Sequence, residues 1–179
     1  MFSWIIEHQA RILSRNRGEF IVENTFSEPL VIWQSIAHDG ACMTLTEWNK
    51  DTYSFFVMEE SLWVTNLGRK EVGDTFNVER SLKLWDRIDG HMVTGHIDTI
   101  WKVTNTLRNE DSSLIISISF DKKYKNLIVK KWNIAINGTS LTIVDTGDDW
   151  FSVSLIPLTQ DWTNLWKLGI WDIVNLEFD

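Results

Sequence analysis

Hydrophobic and polar positions alternate along this chain in short runs, and no long stripe follows the 3.6-residue period of an amphipathic helix. The runs are rich in Val, Ile, Thr, Phe and Ser and are bounded by Gly, Asn and Asp, as in "TYSFFVM", "SSLIISISF", "SLTIVD" and "FSVSLI". Turn signals such as "HDGA", "IDGH", "INGTS" and "TGDDW" recur at the spacing of strands in a closed barrel or sandwich. The pattern predicts an all-β protein with little helix.

The chain also repeats itself. "SIAHDGACMTLTE" aligns with "NIAINGTSLTIVD", which pairs Gly40 with Gly138 at an offset of 98 residues, 138 less 40. Near the start, "FSWIIE" aligns better with "VTGHID", so that Trp4 is opposite Gly95. We predict two tandem copies of one module, residues 1–88 and 89–179, with the boundary near Asp89. The same offset of 98 pairs identical residues: Thr44 with Thr142, Thr65 with Thr163, Leu67 with Leu165, Asn77 with Asn175 and Glu79 with Glu177.

Each half has fewer than 100 residues, enough for about six short strands closed into a small barrel, which removes exposed strand edges. Duplication alone is a structural feature. Two copies of one binding site would nevertheless suit a protein that brings two identical molecules together.

Charge and composition exclude several classes of protein. A net charge of -8 without a dense basic run argues against a nucleic-acid surface. No apolar stretch approaches the roughly 20 residues that span a bilayer. The single cysteine, Cys42, excludes an internal disulfide framework and fits a reducing compartment. We expect a soluble, cytoplasmic protein with neither nucleic-acid nor membrane partners.

Several segments in order carry a resemblance to a known family: "MFSWIIE", "DGACMTLTE", "MEESLWVTNLG", "GHMVTGHID", "NGTSLTIVD" and "IPLTQDWTNLW". Together they resemble the riboflavin synthases of the lumazine-binding family, from Met1 to Asp179. The resemblance implies an all-β fold of two tandem, internally repeated six-stranded Greek-key β-barrels. Family members usually continue into a C-terminal helix that organises a homotrimer. The sequence stops at Asp179, where that helix would begin, so the expected fold lacks it.

The resemblance also implies a reaction. Two molecules of 6,7-dimethyl-8-ribityllumazine react, one giving a four-carbon unit to the other, and the products are riboflavin and 5-amino-6-(D-ribitylamino)uracil. No metal or redox cofactor is expected, because the acidic C7 methyl group of the substrate provides the carbon nucleophile. Holding two substrates in reacting contact can lower a barrier by about 7 to 11 kcal/mol. In the family the reacting pair lies between the N-terminal barrel of one subunit and the C-terminal barrel of its neighbour.

A non-catalytic lumazine or flavin carrier on the same fold is the alternative function. Cys42 and Thr44 lie two apart on a predicted strand and share a face, as do Ser140 and Thr142. From the residues alone these are ordinary strands with one inward face, and the resemblance adds ligand contact. Cys42 and Ser140 are equivalent in the repeat but differ chemically, which would let one barrel bind the donor and the other the acceptor.

Two histidines, His91 and His96, invite a metal interpretation. Five residues apart on a strand, they would point to opposite faces, and no clustered third ligand accompanies them. His96 aligns with a ligand-adjacent family position. We therefore predict Cys42, His96 and Ser140 as catalytic residues and no metal site, and retention of all three favours the enzyme over the carrier.

The remaining site residues follow from the resemblance. Glu60 and Ser61 match an acidic-hydroxyl pair suited to a ribityl chain, and Lys131 matches a pocket lysine. Leu158 and Asn137 depart from acidic residues common in the family. The expected substrate-binding residues are Trp4, Ile5, Ile6, Met43, Thr44, Phe56, Met58, Glu60, Ser61, Ile97, Asp98, Lys131, Leu141, Thr142, Ile156, Pro157, Leu158 and Thr159.

Tryptophan is abundant and glycine scarce, with 11 and 9 residues respectively. The internal alignment places Trp166 and Trp171 on the positions of Gly68 and Gly73. The resemblance adds Trp33, Trp85, Trp101 and Trp132 at family glycine positions, while Trp48 and Trp150 look like ordinary aromatics and Trp63 and Trp162 stay open.

Such tryptophans could be stacking platforms for a flat heterocycle. However, a turn that needs a positive φ costs a residue with a side chain about 1–2 kcal/mol. Seven such sites would consume much of a total stability of about 5–15 kcal/mol. Our hypothesis is that these seven residues, Trp4 included, are glycine in the native protein because the source organism reads UGA as glycine.

Overall fold

The computed structural model describes residues 1–87 and 90–179. Ile88 and Asp89 lie outside the described residues, and so does the predicted boundary between the halves. Antiparallel strands form two closed six-stranded barrels. The predicted all-β fold with two tandem barrels is confirmed.

The two barrels have the same topology. The second strand of each barrel leaves its hairpin and pairs with the fifth, which makes a Greek key. The first barrel contains β1 (His8–Asn16), β2 (Glu19–Glu23), β3 (Ser35–His38), β4 (Ala41–Trp48), β5 (Thr52–Phe56) and β6 (Thr75–Arg80), in the spatial order β1-β2-β5-β4-β3-β6. The second contains β7 (Thr99–Arg108), β8 (Leu114–Ser119), β9 (Asn133–Ile136), β10 (Thr139–Thr146), β11 (Trp150–Leu155) and β12 (Ile173–Phe178), in the order β7-β8-β11-β10-β9-β12.

Helix is a minor component, as predicted. α1 (Glu59–Val64) and α2 (Pro157–Trp162) are each one short helix after the fifth strand of a barrel, followed by the 3-10 turns Asn66–Arg69 and Asn164–Lys167. The threonine before each turn accepts a hydrogen bond from a backbone N–H, Thr65 from Leu67 and Thr163 from Leu165. A third 3-10 turn spans Lys122–Leu127. No helix within the described ranges is both long and apolar enough to cross a membrane.

Alternation along the strands fills each barrel with apolar side chains. On β4, Met43 and Leu45 belong to the first core, whereas Cys42 and Thr44 point to the outer face. The predicted shared face of Cys42 and Thr44 is therefore the outside of the barrel.

Two short segments hold the barrels together, because each belongs to one half of the chain and contacts the barrel of the other half. We call residues 2–6 the first crossing segment and residues 93–97 the second. Phe2 and Val93 pair through reciprocal backbone hydrogen bonds of 3.0 and 3.2 Å. The first segment continues to β10, where Ser140 N–H donates to the carbonyl of Trp4 at 3.1 Å. The second reaches β4 of the first barrel.

Buried polar groups also join the two barrels. Asp39 has a fully buried side chain and forms an ion pair with Lys70 at 2.7 Å. Its repeat equivalent, Asn137, accepts hydrogen bonds from the Asn175 N–H at 2.8 Å and from Nδ2 of Asn66 at 3.2 Å. The departure at Asn137 thus lies in the interface between the barrels.

The backbone supports the glycine hypothesis at four of the seven tryptophans. The φ angle is 57° at Trp4, 77° at Trp33, 80° at Trp85 and 80° at Trp171, all in the left-handed region that favours glycine. Gly95, the repeat equivalent of Trp4, has a φ of 87°. The backbone argument fails for the other three, Trp101, Trp132 and Trp166, which have no positive φ.

Candidate functional site

A cavity of about 420 Å³ lies on the outside of the second barrel, between β10, α2 and the first crossing segment. The crossing segment belongs to the first half of the chain, so each half contributes to this cavity. Among the described residues, its walls carry hydroxyl and apolar groups and no charged side chain, which suits a flat, uncharged ring system. The lining residues are Trp4, Ile5, Ile6, Thr139, Ser140, Leu158, Thr159, Trp162 and Thr163.

Ser140 lies in this cavity and has a histidine partner. Its Oγ is 2.7 Å from Nδ1 of His91, which is 7% exposed. Burial lowers the pKa of His91, so the imidazole is biased toward its neutral form. A neutral imidazole accepts a proton from a hydroxyl, and the pair is therefore equipped for proton transfer.

Backbone contacts place the equivalent groups on the first barrel. The N–H of Cys42 donates to the carbonyl of Gly95 at 2.9 Å, and Ile97 packs against the first core. A Cβ on Gly95 would lie 2.6 Å from the Cβ of Cys42, so only glycine allows this close approach. His96, which lies between Gly95 and Ile97 in the chain, is exposed.

His91 is buried and His96 is exposed, but they do not lie on opposite faces of a strand, since residues 91–96 form only the isolated bridge at Val93. Within residues 1–87 and 90–179, no three His, Cys, Asp or Glu side chains cluster in the manner of metal ligands.

The short helices carry the predicted ribityl-binding residues, Glu60 and Ser61 on α1 and Leu158 and Thr159 on α2, and those of α2 line the cavity. Ser61 and Thr159 are half-buried, and their carbonyls accept hydrogen bonds from Thr65 and Thr163. Glu60 and Leu158, one position earlier, are exposed. Four predicted substrate-binding residues near the starts of the two helices are exposed apolar residues that do not line the cavity: Phe56, Met58, Ile156 and Pro157.

Other predicted residues are more distant from the cavity walls. Thr44 and Thr142 are exposed on the outer faces of β4 and β10. The side chains of Met43 and Leu141 face the barrel cores. Their placement follows from alternation, because their neighbours Cys42 and Ser140 point outward.

Two predicted polar residues also take other positions. Lys131 is exposed, and its N–H donates to the Ile143 carbonyl at 2.8 Å, at the edge of β10. Asp98 accepts a hydrogen bond from the Phe178 N–H at 2.8 Å. The Asp98 carboxylate thus fastens the second crossing segment to β12.

The sequence interpretation missed three lining residues of this cavity, Thr139, Trp162 and Thr163, and also His91, the partner of Ser140. Thr163 could have been found, because the repeat matches it with Thr65. His91 could not, because its partner Ser140 is separated from it by 49 positions.

The sequence pattern described as "Lumazine binding domain" matches this chain twice, at residues 5–81 and 94–179. The matches coincide with the two barrels. Each match begins within a crossing segment and ends in, or just after, the sixth strand of its barrel.

Known proteins resemble the whole chain. Riboflavin synthase of Escherichia coli (strain K12) is 37% identical over 185 residues, covering 100% of this chain and 87% of that protein. Riboflavin synthase of Chlamydia pneumoniae is 38% identical over 154 residues, covering 86% of this chain and 74% of that protein. The crystal structure of LumP complexed with flavin mononucleotide superposes with a TM-score of 0.84 at 25% identity, covering 100% of this chain and 99% of that chain. The chain belongs to the lumazine-binding family.

Proposed function

We propose that the protein is a riboflavin synthase, which converts two molecules of 6,7-dimethyl-8-ribityllumazine into riboflavin and 5-amino-6-(D-ribitylamino)uracil. The observation that carries the proposal is the duplicated site. Each crossing segment from one half meets the cysteine or serine strand of the other half. Curated relatives at 37% and 38% identity are riboflavin synthases. A reaction between two identical substrates needs two such sites.

The residues divide the work between binding and proton transfer. Apolar walls such as Ile6 and Leu158 would contact the lumazine ring, and the hydroxyl of Thr159 would contact the ribityl chain. Ser140 with His91 would move a proton to or from the bound substrate. In the first barrel Cys42 and His96 occupy the corresponding region, and the different chemistry of Cys42 and Ser140 would separate acceptor and donor roles.

Assembly and location belong to the same proposal. Exposed apolar side chains near the starts of α1 and α2, Phe56 and Met58 at 60% and 63% and Ile156 and Leu158 at 56% and 63%, favour burial of these two surfaces, which we call the rims, against another subunit. We propose a homotrimer in which such rims meet. The single cysteine and the acidic composition support a cytoplasmic location.

The test is turnover of purified protein with 6,7-dimethyl-8-ribityllumazine alone. Riboflavin fluorescence should rise with no added metal or nicotinamide, and riboflavin and 5-amino-6-(D-ribitylamino)uracil should form in equal amounts. A chelator that abolished the reaction would contradict the proposal.

A non-catalytic lumazine or flavin carrier is the second candidate, favoured by the likeness to LumP. A carrier would bind riboflavin without consuming the lumazine.

A further inference from the structure

Two buried glutamates occupy equivalent places in the repeat and bind the crossing segments. Glu79 lies on β6 and Glu177 on β12, and they are 3% and 5% exposed. Both side chains point away from their own barrel core, because the alternate neighbours Val78 and Leu176 fill the cores. Each carboxylate is therefore buried under a crossing segment.

The hydrogen bonds are nearly the same in the two copies. Oε1 of Glu79 accepts from the N–H and the Oγ of Ser3 at 2.8 and 2.9 Å. Oε1 of Glu177 accepts from the N–H and the Oγ1 of Thr94, both at 2.8 Å. Ser3 and Thr94 are equivalent in the repeat, so this motif of one carboxylate and two donors occurs twice.

Each glutamate binds the residue just before the segment meets the other barrel. After Ser3 comes Trp4, whose carbonyl accepts from Ser140 of the second barrel. After Thr94 comes Gly95, which donates to Oε2 of Glu177 at 3.2 Å and accepts from Cys42 of the first barrel. The glutamate is therefore in one barrel and the site that its segment covers is in the other.

We propose that Glu79 and Glu177 are crossed positioning residues: Glu177 of the second barrel holds the segment over the Cys42 site of the first, and Glu79 of the first barrel holds the segment over the Ser140 site of the second. Burial without a cation is unfavourable to a carboxylate, so a purely structural position would more often be apolar. Burial raises the pKa of both groups, to about 7 for Glu79. The donors of Ser3 and Thr94 oppose that rise.

Cys42 is the only cysteine of the chain and reports on the first site without any ligand. Its alkylation rate by iodoacetamide is measured on the full-length protein. We expect Glu177→Gln to raise the rate at least fivefold, because Gly95 no longer covers the thiol. Glu79→Gln, the matched control, should leave the rate within twofold of the parent. Equal effects of the two variants, or no effect of Glu177→Gln, would overturn the proposal.

Thr94→Val and Ser3→Ala are milder variants for the case that a glutamine variant fails to fold. Each removes the hydroxyl donor and keeps the backbone N–H. Thr94→Val should accelerate alkylation and Ser3→Ala should not. Circular dichroism confirms that both variants are folded, and a reversed order of the two rates would contradict the crossed arrangement.

Riboflavin provides the second measurement, which rests on the proposed function. Riboflavin should protect Cys42 of the parent protein, and Glu177→Gln should need about tenfold more riboflavin for half protection, whereas Glu79→Gln should not. Failure of riboflavin to protect the parent would count against the proposed function alone, since the ligand-free rates test the crossed arrangement independently. Protection curves that shift equally in Glu177→Gln and Glu79→Gln would overturn the crossed arrangement.

Discussion

Gly40 and Gly138 touch backbone to backbone across the interface between the two barrels. A Cβ on Gly40 would lie 2.9 Å from the backbone nitrogen of Gly138, and one on Gly138 would lie 2.7 Å from that of Gly40. Both have a positive φ, 85° and 73°. The repeat thus brings its two equivalent glycines into direct contact, and any side chain there would push the barrels apart.

Gly40→Ala and Gly138→Ala should each destabilise the protein by more than about 2 kcal/mol, from strain at positive φ and from the clash with backbone atoms. Gly73→Ala is the matched control, since Gly73 has a φ of 98° but open space around its Cβ position. Urea unfolding measures the difference. Equal losses at Gly40 and Gly73 would mean that the close approach contributes nothing.

Much of this architecture could be predicted because its signals are local or repeated. Alternation and turn residues gave the strands, and matched pairs such as Thr65 with Thr163 gave the duplication. The crossing of residues 2–6 and 93–97 could not be predicted, since a five-residue segment carries no sign of which barrel it will contact. The position of Asn137 in the interface could not be predicted for a similar reason: a polar residue in a turn looks the same in a cavity and in an interface.

The ion pair of Asp39 and Lys70 is replaced in the second half by Asn137 and Leu168. Lys70→Leu should cost about 3–5 kcal/mol, because it leaves a buried carboxylate without its cation. The double variant Asp39→Asn/Lys70→Leu copies the second half and should recover most of that loss. A double-mutant cycle by urea unfolding measures the coupling.

The exposed pair of Lys130 and Asp145 is the control for that cycle. Both side chains are 57% exposed at a distance of 3.2 Å. Lys130→Met should change the unfolding free energy by less than about 1 kcal/mol. If Asp39→Asn/Lys70→Leu were no more stable than Lys70→Leu, the buried charge would not be the cause of the loss.

The core of the first barrel contains an ionisable pair, His38 and Tyr53, with the ring Nε2 2.9 Å from the hydroxyl. Burial lowers the pKa of His38 from 6.5 to about 3. Below pH 6.5 the imidazole of His38 is protonated in the unfolded protein but stays neutral in the folded protein, so unfolding takes up a proton. The contribution of neutral His38 to the free energy of unfolding should therefore be complete above pH 6.5 and fall as the pH drops toward 3. The loss from this residue should reach about 5 kcal/mol.

The repeat supplies the control for this pH dependence, because Ile136 and Phe151 stand at the equivalent positions in the second core. His38→Ile/Tyr53→Phe should flatten the acid side of the stability profile, measured by urea unfolding between pH 4 and 7. An unchanged slope in that variant would place the acid sensitivity elsewhere.

Cys42→Ala and Ser140→Ala should lower turnover unequally, because the two equivalent sites have different tasks.

Proton transfer by a positioned group contributes about 100-fold or more, so Ser140→Ala and His91→Gln should each lower kcat on that scale. The double variant should be no slower than either, since the two side chains act as one unit. Ser119→Ala, on β8, is the control. Additive losses at Ser140 and His91 would separate their roles, and equal losses at Cys42 and Ser140 would favour a symmetrical carrier.

The tryptophans give a prediction about stability. Trp33, Trp85 and Trp171 are 82%, 92% and 71% exposed and have a positive φ, so a glycine there loses little packing and relieves strain. Each Trp→Gly change should stabilise the protein by about 1 kcal/mol. Trp150→Gly is the matched control: Trp150 begins β11 with an ordinary φ, and its glycine variant should be less stable.

The coding DNA tests the glycine hypothesis itself. TGA codons should stand at Trp4, Trp33, Trp85, Trp101, Trp132, Trp166 and Trp171, and TGG codons at Trp48 and Trp150. Protein made with these tryptophans should be poorly soluble or inactive, because the indole of Trp4 is 1% exposed and fills the wall of the second cavity. Glycine at all seven positions should restore turnover of the lumazine. TGG codons at the seven positions, or a native peptide whose mass requires tryptophan at position 171, would show that the tryptophans are genuine and that four of them persist at a strained φ.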